Sequence, residues 1–418
     1  MGLRETLMKI VVKVQDVVTL AKRFETSPIE AMGEVVGQVR NALANTLEQV
    51  MDAEIALFLG QEAERGNKRN GYRVRSFGLK GVGSLEVRVP RDRAGRFESK
   101  VVPAHRRYDP ALEKDIALLN LAGLSTRMLS HVSNRVLGVK VSAQEVSNSL
   151  HTLVPAAKAF LERPLTGRRF MYLYVDGTNF HVRRTTVARE PTLVVVGVDE
   201  GGHKSILAMV QGDKDSRPAW EMVFSGLKER GLEASAVQLG VMDGLPGLAA
   251  AFLDAFPRAK VARCWVHKAR NVFPLVPRRY QADFKDSWDA IAYADGQHAA
   301  RAAFTSLQAR WSAVCGDAVD RLERDLEILL THYEFPKEHW EALRTTNPIE
   351  RVNKEFKRRS RAMETVSSDG LKALLAFTAL RLEYGWAITP ITSNKLSHLS
   401  YKGKQAERLE HLSRMLLQ

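Results

Sequence analysis

At 418 residues the chain is too long for one ordinary hydrophobic core, so two or three domains are expected, and 45% hydrophobic with 26% charged residues excludes a disordered or fibrous chain. A net charge of +14 favours an acidic partner, nucleic acid above all, and no apolar run approaches the roughly 18 residues that a membrane span needs. Only Cys264 and Cys315 could form a disulfide, and charges at Arg4, Glu5, Lys9, Lys13 and Asp16 interrupt the opening apolar run, so a reducing cytoplasm and no membrane are expected.

Over residues 29–66 apolar side chains recur at helical spacing (Val35, Val39, Leu43, Leu47, Val50, Ile55, Leu59), with Ser27 and Pro28 as a start and Gly66 as a stop. This helical region, 1–66, is suited to packing or partner contact. Residues 67–110 are Gly-rich and basic around one strand-like alternation, Ser84-Leu85-Glu86-Val87-Arg88-Val89. A hairpin or extended arm carrying Arg69, Arg73, Arg75, Arg88, Arg91, Arg93 and Arg96 would follow a phosphate backbone, and a solvated loop is the plainer alternative. Residues 111–165 give one helix to Ala122, a second over 125–137 stopped by Gly138, and a third entered at Ser142, whose capping box is completed by Glu145. That is the helix-turn-helix plan, which any three-helix bundle shares; Gln144, Glu145, Asn148 and Ser149 would face the bases. Pro155 and Pro164 mark 153–167 as a linker.

Residues 170–175 form an aromatic and β-branched strand ending in Asp176-Gly177, and 192–198 with 205–210 pair antiparallel around a turn at Asp199 to His203. A helix over 218–230, a strand over 236–242 ending in Asp243-Gly244, a helix over 248–256 and a strand over 260–264 complete an α/β mixed sheet flanked by helices. Residues 281–333 are helical throughout and read as an insertion. A further helix opens with Asn347 as cap, Pro348 in its first turn and Glu350 three residues on. Its apolar stripe is Ile349, Val352 and Phe356; beside it Glu350 heads Asn353, Lys354, Lys357 and Arg361, with Arg351, Arg358 and Arg359 adding to the positive charge. Helices over 371–384 and 407–416 follow.

Carboxylates at two strand ends and one on a later helix suit a divalent cation for phosphoryl chemistry, so Asp176, Asp243 and Glu350 are the candidate metal ligands. Each has a plainer explanation, a turn for either Asp-Gly and a cap for Glu350, and Asp199 competes as a third strand-end carboxylate. Cys264-Trp265-Val266-His267 has spacing that could contribute to a zinc site. Four ligands are needed, however, and only Cys315 and scattered histidines remain, so Cys264 is expected to end a buried strand while His267 begins a helix carrying Lys268, Arg270 and Asn271 near the acids.

From about residue 67 to 386 the chain resembles the Mutator-type transposases of bacterial insertion sequences. The resemblance rests on Asp243-Gly244 with Gly247-Leu248, on Phe256-Pro257, on Cys264-Trp265-Val266-His267-Lys268-Ala269-Arg270-Asn271, and on Thr345-Thr346-Asn347-Pro348-Ile349-Glu350-Arg351-Val352-Asn353. Arg69-Asn70-Gly71-Tyr72 and Val89-Pro90-Arg91-Asp92-Arg93 add to it, whereas residues 1–27 and Ala362-Met363-Glu364-Thr365 do not match. The resemblance implies an RNase H-like catalytic core, in two parts at 166–280 and 341–390 around an all-helical insertion at 281–340, preceded by a mostly helical DNA-binding region and followed by a tail, 391–418. It implies a catalytic triad of Asp176, Asp243 and Glu350 holding Mg2+, two ions with Mn2+ as a substitute, and a homodimer or larger assembly on terminal inverted repeats and target DNA at the bacterial nucleoid. Expected DNA contacts are Arg69, Arg73, Arg91, Arg93, Gln144, Asn148, His267, Lys268, Arg270, Asn271, Arg351, Lys354, Lys357 and Arg358.

Overall fold

The computed structural model describes residues 17–61, 65–183, 187–360, 368–386 and 391; the expected helix at 407–416 and Arg361 lie outside them. Two compact units divide the chain, Met1–Asn120 with Thr126–Ser149, and Leu121–Ser125 with Leu150–Gln418.

In the first unit, α1 (Val17–Thr26) leads into α2 (Pro28–Gln61), a long helix whose Leu43, Leu47 and Met51 cover a hairpin of β1 (Arg69–Leu79) and β2 (Gly83–Asp92). Alternation in β2 turns Leu85 and Val87 inward beside Phe77 and Val102, so the basic stretch is a hairpin with its own core and not an extended arm. Behind it come α3 (Pro110–Leu121), α4 (Thr126–Leu137) and α5 (Ala143–Ser149). Gly138 has a φ of +69°, a left-handed conformation that glycine adopts at no steric cost, and its carbonyl accepts from Ser84 N at 3.0 Å, which ties the turn before α5 to the hairpin. The capping box at α5 forms: Glu145 N donates to Ser142 Oγ at 3.2 Å, and Ser142 N to Glu145 Oε2 at 2.7 Å.

The second unit opens with α6 (Val154–Leu161), where a linker was expected. Pro155 sits in its first turn, where a missing N–H costs nothing, and Ala157 and Phe160 are buried. A five-stranded sheet follows. Its strands are β3 (Phe170–Arg183), β4 (Val187–Asp199), β5 (Lys204–Gln211), β6 (Leu239–Met242) and β7 (Lys260–Arg263), in the order β5-β4-β3-β6-β7. The first three are antiparallel neighbours, and β6 and β7 run parallel to β3. Strand β3 continues past Asp176, so that residue lies inside a strand and not at its end.

Helices α7 (Arg217–Glu229) and α8 (Pro246–Ala255) cover one face, packing Trp220, Phe224, Phe252 and Phe256 on Leu173, Val175, Leu193 and Val195. After β7 come α9 (Trp265–Val272), α10 (Gln281–Ala292), α11 (Gln297–Glu323), α12 (Leu326–Leu330) and α13 (Trp340–Leu343), built on Trp265, Phe284, Trp288, Trp311 and Leu329. Then α14 (Asn347–Ser360) and α15 (Ser368–Trp386) return toward the sheet. Tyr172 and Tyr174 alternate with the residues facing α7 and α8; they reach His339 at 2.9 Å and the Ala342 carbonyl at 3.0 Å, so Asp176, two residues on, shares the face on which α14 packs.

Candidate active site

Strand β6 pairs with β3 only from Tyr172 to Val175, with Val175 opposite Met242. Asp176 and Asp243 are therefore consecutive beyond the last paired residues of two parallel neighbours, and their carboxylates come close enough to repel. Gly177 explains itself differently from the turn its Asp-Gly pair signals. A Cβ there would lie 2.1 Å from Lys214 Cβ, so only glycine lets the 213–215 segment cross beside Asp176.

Cys264, just past β7, is buried, and its sulfur accepts from Thr346 N at 3.3 Å and Thr346 Oγ at 3.4 Å. One turn into α9, His267 places Nδ1 3.4 Å from Thr346 Oγ and Nε2 3.8 Å from Asp176 Oδ2. The Cys264–His267 spacing thus joins the start of α14 to the aspartates and is satisfied inside the protein. Cys264 beside it, and then Asp176 and Asp243, push the His267 imidazole up to about 9 despite burial. Burial pushes the Asp176 carboxyl up to about 6, with Asp243 adding to the rise and His267 opposing it.

The start of α14 differs by one residue from the sequence expectation. The Thr346 carbonyl accepts from Ile349 N at 2.9 Å and Glu350 N at 3.1 Å, so Thr346 is the cap residue and Glu350 the fourth helical position. That register takes Glu350 out of a capping box. Its carboxylate instead accepts from Arg270 Nη2 at 2.6 Å. Ile349, Val352 and Phe356 are buried as the stripe predicts. Their burial turns the charged side of α14 toward a cleft of about 1030 Å³ lined by Asp176, His267, Arg270, Glu350, Lys354 and Lys357, with Arg351 and Arg358 at its wall.

Other expected residues are distributed unevenly. Asp199 lies opposite Phe170, at the far end of β3 from Asp243, where Arg168 holds it at 2.6 Å. His203 and Arg168 hold its carboxyl down at about 2 against burial, so it is a structural hub and no competitor for the site. Lys268, expected among the DNA contacts, is buried and paired with Asp325. Arg69 is paired with Asp52, and Arg88 with Glu48, while Arg75 donates to the Val102, Pro103, Ala104 and Arg106 carbonyls. Arg73, Arg91 and Arg93 are exposed and form no ion pair among the described residues. Gln144 and Asn148 are exposed on α5 and joined at 2.9 Å, whereas Ser149 is buried and Glu145 is spent on its cap and on Arg107. Sequence reasoning placed Arg270 near the acids but missed its pairing with Glu350, and it missed the roles of Thr346 and Asp325, because each depends on a partner 57 to 82 residues away.

Among the described residues no group of three or more His, Cys, Asp or Glu is placed to hold a metal ion, so Asp176, Asp243 and Glu350 do not converge as one cluster. The donors do suit a hard cation that keeps water and phosphate ligands. Asp176 faces an open cleft with Asp243 as its neighbour on the next strand, and burial, with Asp243 adding, pushes its carboxyl toward protonation against His267 and Lys214.

The residue pattern of the family described as "Transposase, Mutator family" matches residues 15–374. The chain is 31% identical over 328 residues to the transposase for insertion sequence element IS905 of Lactococcus lactis, covering 77% of this chain and 83% of the relative. It is 32% identical over 327 residues to the transposase for ISRM5 of Rhizobium meliloti, covering 77% and 81%, and 29% identical over 334 residues to that for IS256 in transposon Tn4001 of Staphylococcus aureus, covering 77% and 84%. A match that runs through both units and takes in Asp176, Asp243 and Glu350 is more than a shared domain, and the chain belongs to the Mutator family of transposases.

Proposed function

We propose that the chain binds the terminal inverted repeats of its insertion sequence and catalyses Mg2+-dependent cleavage and transfer of DNA strands. The observation that carries this is one cleft in which Asp176 and Glu350 share walls with Arg351, Lys354, Lys357 and Arg358. The strand order β5-β4-β3-β6-β7 supports reading the sheet as RNase H-like, with α10 to α13 as its helical insertion. Exposed Gln144 and Asn148 behind the Gly138 turn support reading α3 to α5 as a helix-turn-helix that reads the repeats. An assembly of two or more copies would hold two element ends, and the exposed Ile29, Met32, Val36 and Val39 of α2 offer an apolar stripe for it.

Asp176, Asp243 and Glu350 would hold Mg2+, which when bound supplies activation of the attacking oxygen and charge relief on the leaving one. The rest falls to the protein's own groups. Lysines and arginines of α14 would grip phosphates flanking the scissile bond. A phosphate arriving at Arg270 would take over its guanidinium and release Glu350. His267, held as imidazolium, would offset the charge of Asp176. In cleavage, a water oxygen forms a bond to phosphorus and gives up a proton, the P–O3′ bond breaks, and the 3′-oxygen leaves as a hydroxyl after taking a proton. In joining, that 3′-hydroxyl attacks a phosphate of a second strand, loses its proton, and displaces another 3′-oxygen, which gains one.

Incubating the full chain with a duplex ending in the inverted repeat that borders its gene, with plasmid target and Mg2+, tests the proposal. Wild type should cut and join, and Asp176→Asn and Asp243→Asn should bind the duplex yet do neither. Cutting without joining would identify a nuclease of the same fold, and binding alone a regulator.

A further inference from the structure

A second cleft, of about 370 Å³, opens on the neighbouring face of α9. His267 and Arg270 line the first cleft; Lys268 and Asn271 line this one, together with Asp243, Arg263, Arg321 and Arg324. The two aspartates are thus divided, Asp176 facing one cleft and Asp243 the other, although they are neighbours on β3 and β6.

The charge of the second cleft is unbalanced. Asp325 is the carboxylate partner of both Arg263 and Lys268. Arg321 and Arg324 are exposed and pair with no carboxylate among the described residues; Arg324 only reaches the Asp320 carbonyl, at 3.4 Å. Four cations line this cleft with Asp243 and Asp325, while Asp317, Asp320 and Glu323 border Arg321 and Arg324 on their other side without an ion pair to either. Burial pulls the Lys268 ammonium below its ordinary value against Asp325, with Arg263 and Arg324 adding to the fall. Arg321 lies near the end of α11, whose course breaks at buried Cys315 (φ −149°, ψ 59°), so a local departure from helix redirects the segment that supplies it.

Resting on the transposase reading above, we infer that this second cleft holds a second DNA strand by its phosphates at Asp243, separate from the strand along α14, with Arg321 and Arg324 as positioning residues. Joining needs two strands at one centre, and here two cation-lined clefts meet at one pair of carboxylates. Paired guanidinium groups without a carboxylate partner suit phosphodiester oxygens, which accept two hydrogen bonds from one Arg. The second strand is either target DNA or the non-transferred strand of the element end, and the two differ in which step needs it.

The test uses the full chain as Arg321→Gln/Arg324→Gln, with the bordering inverted-repeat duplex, uncut or precut, and supercoiled plasmid as target. Both side chains are exposed, so melting should be unchanged, and Arg321→Lys/Arg324→Lys should keep most activity. If the strand is target, cleavage and end binding should stay within about twofold while joining to plasmid falls about tenfold or more and recovers at higher plasmid concentration. If it is the non-transferred strand, cleavage of the uncut duplex should fall by that factor while joining of the precut duplex persists. Rates all within about twofold of wild type would overturn the inference, as would a parallel fall in cleavage, precut joining and end binding, which places both arginines on the strand along α14. A wild-type chain that neither cuts nor joins would instead remove the transposase reading itself.

Discussion

Glu350 stands at the fourth position of α14 with its carboxylate on Arg270, and that placement separates its chemical role from helix capping. Glu350→Gln keeps the shape and loses the charge. An exposed pair of this kind contributes at most about 1 kcal/mol, so the melting temperature should barely move, while strand transfer should fall beyond the roughly 10 to 100-fold typical of groups behind the ligands. Normal transfer by a normally folded Gln variant would sink the third metal ligand. Asp176 gives a pH prediction. Its carboxyl is raised to about 6, so the folded state holds the proton more tightly than the unfolded one. That contribution to stability is full below the ordinary carboxylate value and lost as pH rises through about 6 in metal-free protein. The same proton competes with a cation, so Mg2+ affinity by titration calorimetry should weaken about tenfold per unit below pH 6 and level off above it. Affinity flat across that range would show that the cation does not use Asp176. His267, raised to about 9, gives a second limb: its stabilising charge is full below 6.5 and lost as pH rises through about 9.

Among the elements, α6 shows how a segment with two prolines becomes part of the fold. Arg163, following α6, pairs with Glu383 of α15 at 2.5 Å, and the same carboxylate oxygen accepts from Ile206 N of β5 at 2.7 Å. One buried carboxylate therefore holds α6, β5 and α15 together. Glu383→Ala would take the carboxylate from a part-buried guanidinium that keeps the Phe160 and Ile206 carbonyls, and would leave the Ile206 N–H unpaired, at a cost of about 1 to 3 kcal/mol, measurable as an earlier urea midpoint. A midpoint within error of wild type would mean that the pair is replaced by solvent. The contrast with α5 is instructive, because its Ser142-Glu145 box is entirely local and forms as its spacing predicts.

At the scale of the molecule, the +14 charge is not spread as free cations. Arg69, Arg88, Arg263 and Lys268 are paired with acids, and the cations without an ion pair among the described residues include Arg73, Arg91 and Arg93 of the hairpin region, Arg321 and Arg324, and Arg351, Lys354 and Lys357 along α14. Affinity for element ends should fall linearly in log–log form with salt, at about −0.9 per phosphate neutralised, and Arg91→Ala should lower that slope by about one contact. Gln144→Ala or Asn148→Ala should weaken the cognate repeat by roughly 1 to 3 kcal/mol and leave random DNA unaffected in competition binding. Equal weakening on both would place α5 away from the bases.

The family was legible in the sequence because its motifs are contiguous: residues 264–271 and 345–353 carry their own local chemistry, and the apolar stripe of α14 follows from helical period alone. The same holds for the mixed sheet, whose strand runs and turns are short-range patterns. What the sequence left open are matters of distance and register. Only the tertiary structure separates Asp199 from Asp176, because antiparallel pairing sets Asp199 opposite Phe170 at the start of β3, while Asp176 lies further along that strand opposite Val194. Burial of Lys268 against Asp325, the turning of Glu350 to Arg270, and the sharing of Thr346 between Cys264 and His267 each join side chains 57 to 82 residues apart. Local propensity carries no information about such pairings; they arise when the sheet and the α9–α13 core close, and closure fixes which charges remain for DNA.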